Sequence, residues 1–200
     1  MRSLSVALAL TGMLAVWNGV PTANAFDPHQ TFAEDAWALS IEGGYGEQFK
    51  LGSPTITELA FFNAGLRIGF FPWGIRGTGP LAGALEIGLE PLYQRFFDPV
   101  DAVFAGLAAV TRYHFTSLGR FVPYLELAGS GGYTDLNVRE QNTNFVFLLF
   151  GGVGASYFIM ERTSIYAGYR FQHISNGNTD YPNRGIDSHT GVVGLSVFFR

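Results

Sequence analysis

AGALEIGLEPLYQRFF, residues 82–97, alternates apolar with polar or small side chains along most of its length. Leu85, Ile87 and Leu89 fall on one side. Glu86, Glu90 and, further on, Gln94 fall on the other. Successive side chains of a strand point to opposite faces, so this stretch predicts a β-strand with one apolar and one charged face. Seven further segments carry the same period: Trp37–Glu47, Glu58–Phe70, Ala102–Phe115, Val122–Tyr133, Asn144–Phe158, Thr163–Ser175 and Ser188–Phe199. The sixth of the eight, Asn144–Phe158, is apolar on both faces, and its register cannot be assigned from the pattern. One polar set collects from the others: Glu42, Asn63, Arg67, Glu86, Glu90, Gln94, Arg112, His114, Glu126, Arg170 and Gln172. Both signs of charge are present. Side chains fill the interior of a small barrel, so these residues are expected to form a paired, hydrogen-bonded plug.

Composition narrows the solvent on the other side. Charged residues make up 14% of the chain, against roughly 25% in soluble domains. Glycine numbers 26 and phenylalanine 19, and cysteine is absent, which excludes disulfides and thiolate chemistry. Met1 to Ala25 reads as an export signal, with Arg2, an apolar run from Val6 to Val16, and the small-x-small site Ala23-Asn24-Ala25. Beyond it no apolar run is long enough for a membrane helix. Together these features predict an all-β, eight-stranded antiparallel transmembrane β-barrel over residues 26–200, resident in the bacterial outer membrane. Trp37, Trp73, Tyr124 and Tyr133 are expected in its interfacial girdles. The net charge of −4 gives no reason to invoke nucleic acid, and the sequence leaves monomer and homodimer open.

Strand parity gives the last two segments a direction. Arg170 and Gln172 share the polar face, so Ile165, Ala167, Tyr169 and Phe171 face lipid. That outward row continues as His173 and Ser175. In the eighth segment the row Val193, Leu195, Val197 and Phe199 extends back by twos to His189 and Asp187. His173, Ser175 and Asp187 are the residue types of a base-activated serine nucleophile, and all three are expected on one outward face. His173 and Ser175, two apart, are same-face neighbours about 6–7 Å apart at the backbone. Asp187, on the antiparallel partner, can approach the far imidazole nitrogen. Asn176, Asn178 and Asn183, with Gly177 and Gly185, supply side-chain amides and flexible N–H groups for an oxyanion hole. With both termini on the periplasmic side, this site falls near the outer leaflet. His189 is expected as an interfacial side chain, and His29, Asp98, Asp101 and Asp135 as solvated groups.

The hairpin resembles the catalytic hairpin of the PagL-type lipid A 3-O-deacylases, which are outer-membrane barrel esterases. The matching residues are Arg170-Phe171, His173-x-Ser175-Asn176 and Pro182-Asn183-x-Gly185-Ile186, with the acidic position at Asp187 and no gap in spacing. The resemblance implies His173 as base, Ser175 as nucleophile and Asp187 as the acid that orients the histidine. It implies the Asn183 amide and the Asn178 N–H as oxyanion donors. The family places glutamate where Asp187 stands and glycine where Asn178 stands. The implied substrate is lipid A or lipopolysaccharide, attacked at an ester-linked 3-hydroxyacyl chain, and the chemistry requires no metal or cofactor. Two alternatives remain at this level: a non-enzymatic barrel that acts through its loops, and an esterase for phospholipid.

Overall fold

The computed structural model describes residues 26–49 and 57–200. The export signal expected over Met1 to Ala25 lies outside the described residues. A single helical turn, α1 (Pro28–Thr31), precedes β1 (Ala36–Gln48), β2 (Ala60–Phe71), the two-residue β3 (Ile75–Arg76) and a 3₁₀ turn at Gly79–Leu81. Then follow β4 (Gly83–Asp98), β5 (Ala102–Phe115), β6 (Phe121–Thr134), β7 (Phe145–Met160), β8 (Thr163–Ser175) and β9 (Ile186–Phe199). The eight long strands pair antiparallel in chain order. β1 closes on β9 from Trp37↔Phe199 to Gln48↔Ser188, while β2 pairs with β4 across β3. Each long strand therefore has two neighbours. Closure of this kind satisfies backbone N–H and C=O groups where no water is available. The long strands are those the period-two pattern predicts, with ends shifted by a few residues. The short β3, lying in a Gly- and Pro-rich connection, had no such signal.

The interior is layered. At the end that carries the termini, Phe32 is fully buried beside α1 and packs edge-on against Phe71, Phe158 and Phe198. The middle layer holds the charges. Arg67 binds Glu86 and Glu90 at 3.1 and 3.0 Å, and Arg112 binds Glu126 at 2.7 Å. Arg170 joins Glu126 at 2.6 Å and also pairs with Glu42, which accepts a bond from the Tyr166 hydroxyl at 2.9 Å. His114 Nε2 lies 2.8 Å from Glu86. All eleven residues of the expected polar set are buried. Above them, at the loop end, lies a second apolar cluster that includes Phe61, Phe96, Phe104, Val146, Leu148 and Phe150.

That upper cluster explains the ambiguous segment. β7 sends Val146, Leu148 and Phe150 inward and Phe145, Phe147 and Leu149 outward, so both of its faces meet apolar surroundings. One expectation is corrected. Tyr124 does not belong to an interfacial girdle: it is buried inside the barrel, with Arg112 stacked 4.0 Å from its ring centroid. It shares parity with Glu126, and an aromatic face is a favourable neighbour for a buried guanidinium. Trp37, Trp73 and Tyr133 are exposed on the outer surface.

Candidate active site

β8 carries the alternation to its last residue. Tyr166, Arg170, Gln172 and Ile174 are buried inside, while Ile165, Tyr169 and Phe171 are exposed outside. His173 and Ser175 continue the outside row. β9 runs antiparallel with Phe171 opposite His189, Gln172 opposite Ser188, and His173 opposite Asp187. Directly opposed residues have Cβ atoms roughly 4.5–5.5 Å apart, so an aspartate arm reaches an imidazole across one ladder rung. His173 Nδ1 lies 2.7 Å from Asp187 Oδ1, with the imidazole 39% exposed. A carboxylate facing Nδ1 selects the tautomer that carries its proton there, and this leaves Nε2 as the basic nitrogen.

Gly185 sets the other side of the imidazole. Its φ is +71°, and a Cβ at this position would press on the His173 ring, coming within 3.0 Å of Nε2. The backbone therefore lies flat against the ring because no side chain intervenes. Ser175 sits at the top of the same outward row, opposite Phe147 of β7. It is not hydrogen-bonded to His173 in this structure.

The loop from Asn176 to Gly185 is organised around Asn176, which is fully buried. Its side-chain amide donates to the Asp180 carbonyl at 2.9 Å, and its Oδ1 accepts the Asn178 N–H at 2.9 Å. Its own carbonyl accepts the Thr179 hydroxyl at 2.8 Å. Gly177 and Asn178 both take left-handed backbone, with φ of +65° and +66°. The Asn178 N–H, expected as an oxyanion donor, is thus engaged within the turn. Asn183 faces Asn176 differently. The Asn176 N–H can only donate, so the atom of Asn183 that meets it at 3.2 Å is Oδ1, and Nδ2 is left to donate elsewhere.

Two further features frame the site. A cavity of about 590 Å³ on the outer surface begins at His173 and Phe171 and runs past Leu149, Gly151, Gly129 and Ala109. Gly129 and Gly151 give it depth, because the strands carry no side chain there. The second feature is the loop between β6 and β7, which leans on the 176–185 loop through a bridge between Gln141 and Asn183. No pattern in the sequence signals that contact, which joins segments some forty residues apart. The remaining candidates lie apart from the pair. His189 packs between Phe49 and Tyr169. Asp101 binds Arg95, Asp135 accepts the Val103 N–H at 2.6 Å, and His29 is exposed on α1.

Comparison with known proteins adds a family. Residues 60–196 match the model of the family described as lipid A 3-O-deacylase (PagL). Among solved structures, the outer membrane enzyme PagL aligns with a TM-score of 0.59 at 17% identity, covering 78% of this chain and 97% of its own. Neisserial surface protein A aligns with a TM-score of 0.60 at 16% identity, covering 82% of this chain and 99% of its own. At such identities these two structures share the barrel fold with the chain. No curated protein sequence matches it.

Proposed function

The chain belongs to the lipid A 3-O-deacylase (PagL) family and is an integral outer-membrane β-barrel, and we propose that it hydrolyses the ester-linked 3-hydroxyacyl chain of lipid A with Ser175, His173 and Asp187. The observation that carries this reading is the 2.7 Å His173–Asp187 pair on the outward row of the barrel, at the head of an apolar groove. A substrate that already lies in the membrane reaches such a site by lateral diffusion, and its acyl chain can rest along Leu149, Gly151 and Gly129.

The reaction begins when a torsion of Ser175 brings Oγ to His173 Nε2. Catalytic hydrogen bonds are often open in the absence of substrate and tighten around it. Nε2 takes the Oγ proton as Oγ attacks the ester carbonyl. Asp187 keeps the ring in register and stabilises the imidazolium. The tetrahedral oxyanion accepts from Asn183 Nδ2; one such donor is worth roughly 10²–10³-fold in kcat. The Asn178 N–H holds the turn through Asn176 in the resting state. Collapse of the intermediate breaks the C–O bond to the sugar, and the imidazolium proton passes to the departing sugar oxygen. Water, deprotonated by Nε2, then attacks the acyl-serine, releases the 3-hydroxy fatty acid and restores Ser175. Every proton moves through one nitrogen, and no metal or cofactor enters.

Mass spectrometry of lipid A from cells expressing the wild type or Ser175→Ala tests the reading. The wild type is expected to remove one 3-hydroxyacyl group and the alanine variant none. Wild-type cells that keep the full acyl complement, or equal removal by both proteins, refute it. Parallel hydrolysis assays on lipid A and phospholipid in the same micelles fix the substrate class.

A further inference from the structure

Glu140, in the loop between β6 and β7, is a carboxylate that the proposed reaction does not use. It is 3% exposed. Its Oε1 accepts the Thr57 N–H at 2.7 Å and the Gln48 side-chain amide at 3.4 Å, and its Oε2 accepts the Thr57 hydroxyl at 2.6 Å. Gln48 is itself fixed, because its Oε1 accepts the Leu59 N–H at 3.2 Å. The side chain is thus tied to the rim formed by β1 and the start of β2. The backbone of the same residue faces the other way. The Glu140 carbonyl accepts the Arg184 N–H at 2.9 Å, and the next residue, Gln141, bridges to Asn183. The turn between these contacts is stiffened by reciprocal bonds between Val138 and Gln141, at 2.9 and 3.2 Å. Asn183 in turn meets the N–H of Asn176, the residue after Ser175.

We propose that Glu140 is a positioning residue for the deacylation site: its buried carboxylate fixes the 138–141 turn to the β1–β2 rim, and that turn holds Asn183 where its amide can serve the oxyanion. The proposal rests on the deacylase reading above. The residue type suits the role. An ionised carboxylate only accepts, and all three partners donate. Alanine would leave those donors unmet and free the turn. Glutamine can still accept the Thr57 N–H through its carbonyl, while its NH₂ donates to the Thr57 hydroxyl, which is donor and acceptor at once.

The test uses the full barrel in detergent micelles, with hydrogen–deuterium exchange over residues 176–186 beside steady-state deacylation of lipid A. Barrel integrity is checked by the heat-dependent shift on gels. Glu140→Ala is expected to keep the barrel, to speed exchange in that segment, and to lower kcat by about 10²-fold, the scale of a misplacement near 1 Å, with KM little changed. Glu140→Gln is expected to restore slow exchange and most of kcat. Unchanged exchange in Glu140→Ala overturns the clamp whatever the activity. Faster exchange with wild-type kcat, a loss confined to KM, or an equal loss in Glu140→Gln overturns its positioning role. A wild-type barrel that is inactive on lipid A overturns the deacylase reading instead.

Discussion

Gly185→Ala separates the geometry of the site from the stability of the barrel. The added methyl meets two penalties. The first is conformational: Gly185 has φ of +71°, and left-handed backbone costs a non-glycine residue about 1–2 kcal/mol. The second is steric. The methyl would fall nearest His173 Cε1 and 3.0 Å from Nε2, while carbon contacts settle near 3.5–4.0 Å, so the ring must recede by about 1 Å or more. That displacement strains the 2.7 Å bond to Asp187 and moves Nε2 away from the serine. Misplacement on this scale costs about 10²-fold in rate, or about 2.7 kcal/mol of barrier. Gly119 is the control. It lies in the turn between β5 and β6 at the opposite end of the barrel, with φ of +64° and nothing within 4 Å of where a methyl would be added. Gly119→Ala therefore carries the first penalty without the second. Both variants are expected to lose stability in urea unfolding from micelles, Gly185→Ala by more because it also carries the clash, and only Gly185→Ala is expected to lose kcat. Wild-type kcat in Gly185→Ala, or an equal loss in both variants, would refute the claim that this glycine exists to seat the histidine.

Asp187→Asn keeps the shape of the pair but lets an amide face Nδ1, which favours the wrong tautomer. A fall in kcat of about 10³–10⁴-fold is expected, with KM nearly unchanged, on the scale seen when the orienting acid of a serine triad is lost; deacylation kinetics in micelles check it. Arg170→Ala is expected to destabilise the barrel by about 3–5 kcal/mol, because Glu42 and Glu126 both lose a partner in the charged layer. A lowered temperature for the heat-dependent gel shift would show this, and an unchanged temperature would mean that the layer is hydrated enough to absorb the loss.

Much of this molecule follows from parity. A period of two in Leu85, Ile87 and Leu89 against Glu86 and Glu90 is enough to separate lipid from interior, because a strand cannot turn one side chain without turning all of them. The same rule carries Ile165 through Phe171 to His173 and Ser175. It fails where chemistry does not differ between the faces. β7 is apolar on both, since its inner row packs into an apolar upper core rather than the charged layer. Aromatic identity misleads in a similar way. Tyr124 resembles a girdle residue by type, yet its parity with Glu126 puts it over Arg112.

The sequence by itself determined the barrel, the outward direction of His173, Ser175 and Asp187, and the spacing that makes them a candidate triad. These are local properties of strands, written in alternation. Tertiary structure decided what alternation cannot encode. The ladder register puts His173 opposite Asp187, so that the shorter acid reaches the ring. The turn around Asn176 engages the Asn178 N–H and leaves the Asn183 amide free to donate. The loop bearing Glu140 comes to rest against Arg184. Each depends on closing loops between distant segments, and the partners in such contacts are chosen by the closed barrel rather than by their neighbours in the chain.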